Sequence, residues 1–236
     1  MASGAGTEAG AGREVGAGTA PGGGAAPGGG AAATSGTATG EGATHVHGPG
    51  ADAADAGAAN PPGAAWEARN LALWAALDGY GEKGEAGAAE FRAAMDALVA
   101  ELPAGDPVAA FERAAAWDST GHSDRAVPLY REALRGRLPG ERRRRAVIQL
   151  ASSLRNLGRA QESVELLTAE RAAGGDHLGD AVAAVLALAL ADAGRPREGV
   201  AVAVAALAPH LPRYQRSMAA YARALTEDAP RPDADA

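Results

Sequence analysis

The densest group of chemistry-bearing side chains in the sequence is a run of four arginines, Arg142 to Arg145, opening the segment "PGERRRRAVIQLASSLRNLGRAQES". Guanidinium forks pair with carboxylates and phosphates, so their directions matter. At about 100° per residue, Arg142, Arg143 and Arg144 scatter around a helix start, whereas Arg145, Gln149, Ser152 and Asn156 fall within roughly 60° of one another. Val147, Leu150, Leu154 and Leu157 occupy the opposite side and are the expected core face. Cations in a first helical turn oppose the helix dipole by about 0.3–1 kcal/mol each. Arg142 to Arg144 are therefore expected to be solvated or paired across the turn with acids such as Glu132 or Glu141.

No catalytic arrangement emerges elsewhere. His45 and His47, in "HVH", give too few ligands for a closed metal site, and His122, His177 and His210 fall in separate expected turns. The runs "PGGGAAPGGG" follow no strand and contain no lysine, so they do not form a phosphate loop. Serines have no paired histidine at a recognisable motif. The chain has no cysteine, which excludes disulfides and thiolate metal sites. The expectation is a protein that is not an enzyme and takes no cofactor and no metal. A formal charge of −7, with no aromatic residues interleaved among the arginines, argues against nucleic acid as a partner.

The elements that must position these residues begin after a long tail. Of the 33 glycines, 19 lie in residues 1–63, among Ala, Thr and Pro with almost no large aliphatic side chain. Such a composition cannot bury enough apolar surface to offset the entropy of ordering, so residues 1–63 are expected to be disordered, as are residues 227–236. The N-terminus lacks the basic start and apolar run of a secretory signal. The longest apolar run, Ala181 to Ala191, is shorter than the roughly 18 residues that span a bilayer. The expected location is cytoplasmic, with no membrane contact.

From Trp66 onward the apolar spacing is close to 3.6 and never strictly alternating, which predicts an all-α domain. Asp106 before Pro107 reads as an N-cap with proline in the first turn. The breaks "AGDP", "STGHSD", "LPGE", "NLGR", "AAGGD" and "DAGRP" separate helices of about 12 to 15 residues. The turn glycines Gly121, Gly158 and Gly194 recur at a helix-turn-helix period. Aligned on them, Ala114, Ala151 and Ala187 share one position and Trp117, Leu154 and Leu190 another. Beyond the turn come Ala126, Ser163 and Gly199, then Tyr130, Leu167 and Ala203, then Ala133, Glu170 and Ala206.

The stretch "FERAAAWDSTGHSDRAVPLYREAL", with Ala114, Trp117, Gly121, Ala126, Tyr130 and Ala133, resembles a tetratricopeptide repeat. The run from Asp106 to Leu225 is similar to a group of tetratricopeptide proteins common in actinobacteria. It departs from the pattern at Glu170 and Ala203, and Pro128 stands inside the second helix of its repeat. The resemblance implies a solenoid of helical hairpins. Residues 64–103 would be a degenerate hairpin, with Phe91, Met95, Leu98 and Leu102 on one stripe, and residues 104–226 three repeats plus a capping helix. On that helix Tyr214, Met218, Tyr221 and Leu225 form the apolar stripe, opposite Arg213, Arg216 and Arg223. The apolar helix Ala181 to Ala191 is expected to be covered on both faces.

The resemblance also implies that first helices line a concave groove, placing Arg145, Gln149, Ser152 and Asn156 inside it. The neighbouring first helices would offer Glu112 and then Ala184, Val185 and Leu188, a set that departs from the family's clamp for acidic C-termini. The function expected is a non-catalytic scaffold or adaptor holding a partner protein or peptide. The alternatives are a regulatory protein contacting nucleic acid through its arginines, or a self-associating structural protein.

Overall fold

The structure is a computed structural model that describes residues 62–227. Residues 1–61, with His45 and His47, and residues 228–236 of the expected tails lie outside the described residues, whereas Glu227, expected in the tail, is the last residue of the final helix. Among those described the fold is all-α, with no strand. Its helices are α1 (Ala64–Ala75), α2 (Leu77–Gly81), α3 (Gly84–Val99), α4 (Pro107–Ser119), α5 (Ser123–Arg135), α6 (Arg142–Asn156), α7 (Ala160–Ala172), α8 (Gly179–Asp192), α9 (Pro196–Leu207) and α10 (Gln215–Glu227). A 3-10 turn over Ala208–His210 follows α9.

Local chemistry accounts for the boundaries. Asp106 caps α4, its Oδ1 accepting from the Val108 amide at 2.8 Å, with Pro107 at the first helical position. Gly121, Gly158 and Gly194 end α4, α6 and α8 with φ of 86°, 75° and 77°, in the left-handed region. Each sits in the same double-bonded cap. The amides of His122, Arg159 and Arg195 reach back to the carbonyls of Trp117, Leu154 and Leu190, and the glycine amides to those of Asp118, Arg155 and Ala191. Three identical turns thus repeat one hairpin geometry. Pro128 lies inside α5 without interrupting it.

One expected boundary fails. The segment "WEARNLALWAALDGY" reads as one helix in the sequence but breaks at Ala76 into α1 and α2. The short α2 is seated by Tyr80, which meets Phe91 edge-on at 5.6 Å, while Trp74 meets the same ring at 5.2 Å. Packing of two aromatics on Phe91 overrides the continuity of the helical pattern.

The hairpins α4/α5, α6/α7 and α8/α9 stack in sequence. The first helices α4, α6 and α8 lie against one another, while no two of α5, α7 and α9 approach within 8 Å between Cα atoms. The layer with the tighter spacing lies on the inside of the curve, so α4, α6 and α8 form the concave side. Small residues permit close hairpin contact: Ala114, Ala126, Ala133 and Ala151 are fully buried. At Gly199 an added Cβ would stand 2.6 Å from the Ala187 carbonyl oxygen. One cluster, centred on Phe91, Met95, Phe111 and Tyr130, joins α1 to α6, and a second, with Leu167, Leu186 and Leu190, joins α6 to α9.

Three expectations about core faces are corrected. Leu157 is 41% exposed rather than core, because it occupies the C-cap of α6, past the last turn that faces α7. At α10 the stripe Tyr214, Met218, Tyr221 and Leu225 is only partly packed, with Met218 and Leu225 half-buried. Tyr214 and Tyr221 are 74% and 63% exposed and the buried residue is Ala222. Finally, α8 is covered on one side only: Val182, Leu186 and Leu190 are buried, whereas Ala181, Ala184, Leu188 and Ala191 are exposed.

Candidate functional site

The first three arginines are each paired with acids far away in the sequence, Arg142 and Arg144 largely enclosed and Arg143 exposed. Arg142 Nε donates to Glu112 Oε1 at 3.0 Å, and its two terminal nitrogens donate to the two Glu67 oxygens at 2.9 and 2.6 Å. Glu112, almost wholly buried, also accepts from Asn70 Nδ2 at 3.0 Å and Trp74 Nε1 at 2.9 Å. Burial alone would depress the Arg142 guanidinium, but the hydrogen bonds to Glu67 and the Glu112 charge more than offset it and raise its pKa. A buried carboxylate requires such partners, because a lone ion in a medium of low dielectric is costly.

Arg143 and Arg144 share a second acid. Glu170, 5% exposed, accepts from Arg143 at 3.0 Å and from Arg144 at 2.9 Å, and Arg144 Nε also lies 3.0 Å from Asp176. The expected partners Glu132 and Glu141 are therefore not the ones used. Glu141 instead meets His177 at 2.9 Å. Directions set by the helix send Arg142 toward α1 and α4, and Arg143 and Arg144 toward the end of α7. The departure at Glu170 finds its reason here: it is the buried counter-ion of the arginine run.

Arg145 differs. Its side chain makes no ion pair and no hydrogen bond among the described residues, and its guanidinium lies over the Phe111 ring at 5.4 Å. Stacking of that kind holds the planar face while leaving the N–H edges free to donate. The remaining members of the expected stripe lie along the same helix. Gln149 and Ser152 are half-buried and Asn156 is exposed. Gln149 Oε1 is buried with no hydrogen-bond partner among the described residues, and Asn156 Nδ2 donates to Ser123 Oγ at 3.4 Å. Glu112, expected to line the groove beside them, is instead withdrawn into the ion-pair network.

Sequence reasoning missed the polar centre next to this stripe. Asp118, at the end of α4, accepts from Ser153 Oγ at 2.7 Å, Ser123 Oγ at 3.2 Å and Tyr130 Oη at 3.4 Å. Burial pushes its carboxyl up, against those three hydroxyl donors. The signal available was its register: Asp118 occupies the position held by Arg155 and Ala191 in the next two repeats. Among the described residues no cluster of His, Cys, Asp and Glu could hold a metal ion, and no helix is long and apolar enough to cross a membrane.

Stacked helical hairpins with a concave inner layer, a common turn and small residues at each crossing define a helical-repeat interaction scaffold. The Tetratrico peptide repeat family matches residues 107–225, from the first residue of α4 into α10. The chain belongs to the tetratricopeptide repeat family, whose members are typically protein-interaction modules. No curated protein and no solved structure matches the chain.

Proposed function

We propose that this protein is a non-catalytic adaptor that holds a partner peptide in the groove formed by α4, α6 and α8. The single observation that carries the reading is Arg145. The three neighbouring arginines are bound to acids of the chain, whereas Arg145 is stacked on Phe111 with unpaired N–H edges. Together with Gln149, Ser152 and Asn156 it offers a donor-rich strip. Beside it, α8 presents Ala184, Val185 and Leu188, so a ligand with a carboxylate next to an apolar segment fits both halves. The uptake of Arg142 to Arg144 by acids leaves little reason to assign the run to nucleic acid.

The test is affinity capture from native lysate by the full chain, in parallel with an Arg145→Ala, Asn156→Ala variant. Loss of captured partners in the variant, with helicity unchanged, is the expected result. Equal capture of the same partners by both proteins would remove the groove assignment.

A further inference from the structure

The seam between α4 and α6 carries two charges of opposite sign that have no counter-ion among the described residues. The Arg145 side chain stacks on Phe111 and pairs with no acid. Asp118 pairs with no cation, its side-chain contacts being three hydroxyls. The buried acids Glu112 and Glu170 are matched, the first by Arg142 and the second by Arg143 and Arg144. Arg155, at the register of Asp118 on the next first helix, is held by Asp192.

Asp118 is also incompletely bonded. Its Oδ1 accepts from Ser153 at 2.7 Å and from Ser123 at 3.2 Å, whereas Oδ2 has only the Tyr130 hydroxyl at 3.4 Å. A carboxylate oxygen offers two lone-pair directions, so Oδ2 retains one. The residue is half-buried rather than enclosed, and the exposed Asn156 is joined to it through Ser123. Burial pushes the Asp118 carboxyl up against the pull of those hydroxyls. A cation brought alongside would favour the ionised form.

The two helices give the seam a polarity. Arg145 lies over Phe111 in the first half of α4, and Ser153 meets Asp118 at its end, so α4 and α6 run parallel. Their partially positive N-terminal ends lie on the Arg145 side and their partially negative C-terminal ends on the Asp118 side. An acid in the last turn of α4 opposes the dipole of its own helix, and a cation there would suit both. Asp118 follows Phe111 by about two helical turns, roughly 10 Å along the seam. Between the two charges Gln149 Oε1 is buried and unpartnered among the described residues, an acceptor open to a peptide N–H.

We propose that the partner peptide carries both charges: an acidic group that meets Arg145 and, two to four residues away, a lysine or arginine that meets Asp118. This rests on the groove reading above and narrows it, adding a base to the carboxylate. An extended or polyproline chain rises about 3.1–3.4 Å per residue, so three residues span the seam. A residue between the two charges faces Ala184 and Leu188 of α8. A peptide with acids alone would set like charge against Asp118, so the pairing selects among ligands as well as holding them.

The test pans a random linear heptapeptide library against the full chain and against Arg145→Gln and Asp118→Asn variants, each checked for helicity and thermal unfolding. The wild type is expected to select an acid and a base two to four residues apart. Asp118→Asn should lose the preference for the base, and Arg145→Gln that for the acid. One selected peptide is then titrated on wild type with its base exchanged for glutamine, a measurement independent of how the variants fold. Its affinity should fall about tenfold. Selected peptides that need Arg145 yet carry no base, or a base whose exchange leaves wild-type affinity unchanged, would overturn this inference and leave the groove reading standing. Peptides indifferent to Arg145→Gln, or a library from which no charge is selected, would overturn both.

Discussion

Arg142 and Glu112 meet at 3.0 Å across α6 and α4, with Glu112 further held by Asn70 and Trp74 of α1. A single buried carboxylate therefore ties together the upstream segment and the first two repeats. Removing one member of such a pair is worse than removing both, because the survivor stays buried without its counter-charge. Arg142→Ala should lower unfolding stability by about 3–5 kcal/mol. Exchanging both residues for methionine should cost clearly less, as read from urea unfolding of the full chain.

Glu170 occupies a position where the other repeats carry Ala133 and Ala206. Judged on the repeat pattern alone, Glu170→Ala should restore a better hairpin contact. The structure predicts the reverse: the substitution removes the ion pairs of Arg143 and Arg144 with Glu170, leaving Arg144 only Asp176, and loosens the end of α7 from the start of α6. A loss of about 1–3 kcal/mol is expected, measured by chemical denaturation. A gain in stability would show that the pair contributes nothing.

Gly199 lies where α9 crosses α8, and a Cβ there meets backbone oxygen rather than a movable side chain. Gly199→Ala should cost about 1–3 kcal/mol through forced separation of the helices, despite the better helix propensity of alanine. Thermal unfolding should show a lower Tm than wild type. Gly79→Ala, where nothing lies within 4 Å of an added Cβ, serves as the control.

Asp118 has a sign opposite to that of the surface carboxylates. Its folded-state pKa is raised, by burial first of all, so the native state binds its proton more readily than the unfolded chain. Its contribution to stability therefore grows as pH falls through the raised pKa toward the ordinary Asp value of 3.8. Glu85 and Glu162 behave conversely, their pKa values lowered chiefly by the hydrogen bonds from Arg92 and Arg159. The stability of wild type relative to Asp118→Asn should accordingly rise on acidification. Denaturation of both proteins at a series of pH values tests this, and a wild type that loses stability relative to Asp118→Asn toward acid would contradict the raised pKa of Asp118.

The sequence by itself determined the helical class, the repeat period and the turns, because these depend on local chemistry. Gly121, Gly158 and Gly194 adopt a backbone that other residues resist, Asp106 satisfies an amide two residues away, and apolar spacing marks which side of each helix is buried. It also separated Arg145 from the other arginines, since direction around a helix follows from counting. Only the tertiary structure decided what the arginines meet. Arg142 reaches Glu67 across 75 positions, and the sequence offered Glu132 and Glu141 as nearer partners. The same holds for the end of the stack. Tyr214 and Tyr221 form a good apolar stripe in either orientation, and the position α10 takes on α9 turned these two rings outward. Periodicity specifies that a face is apolar, whereas what covers it depends on contacts between elements, which are set by packing rather than by local sequence.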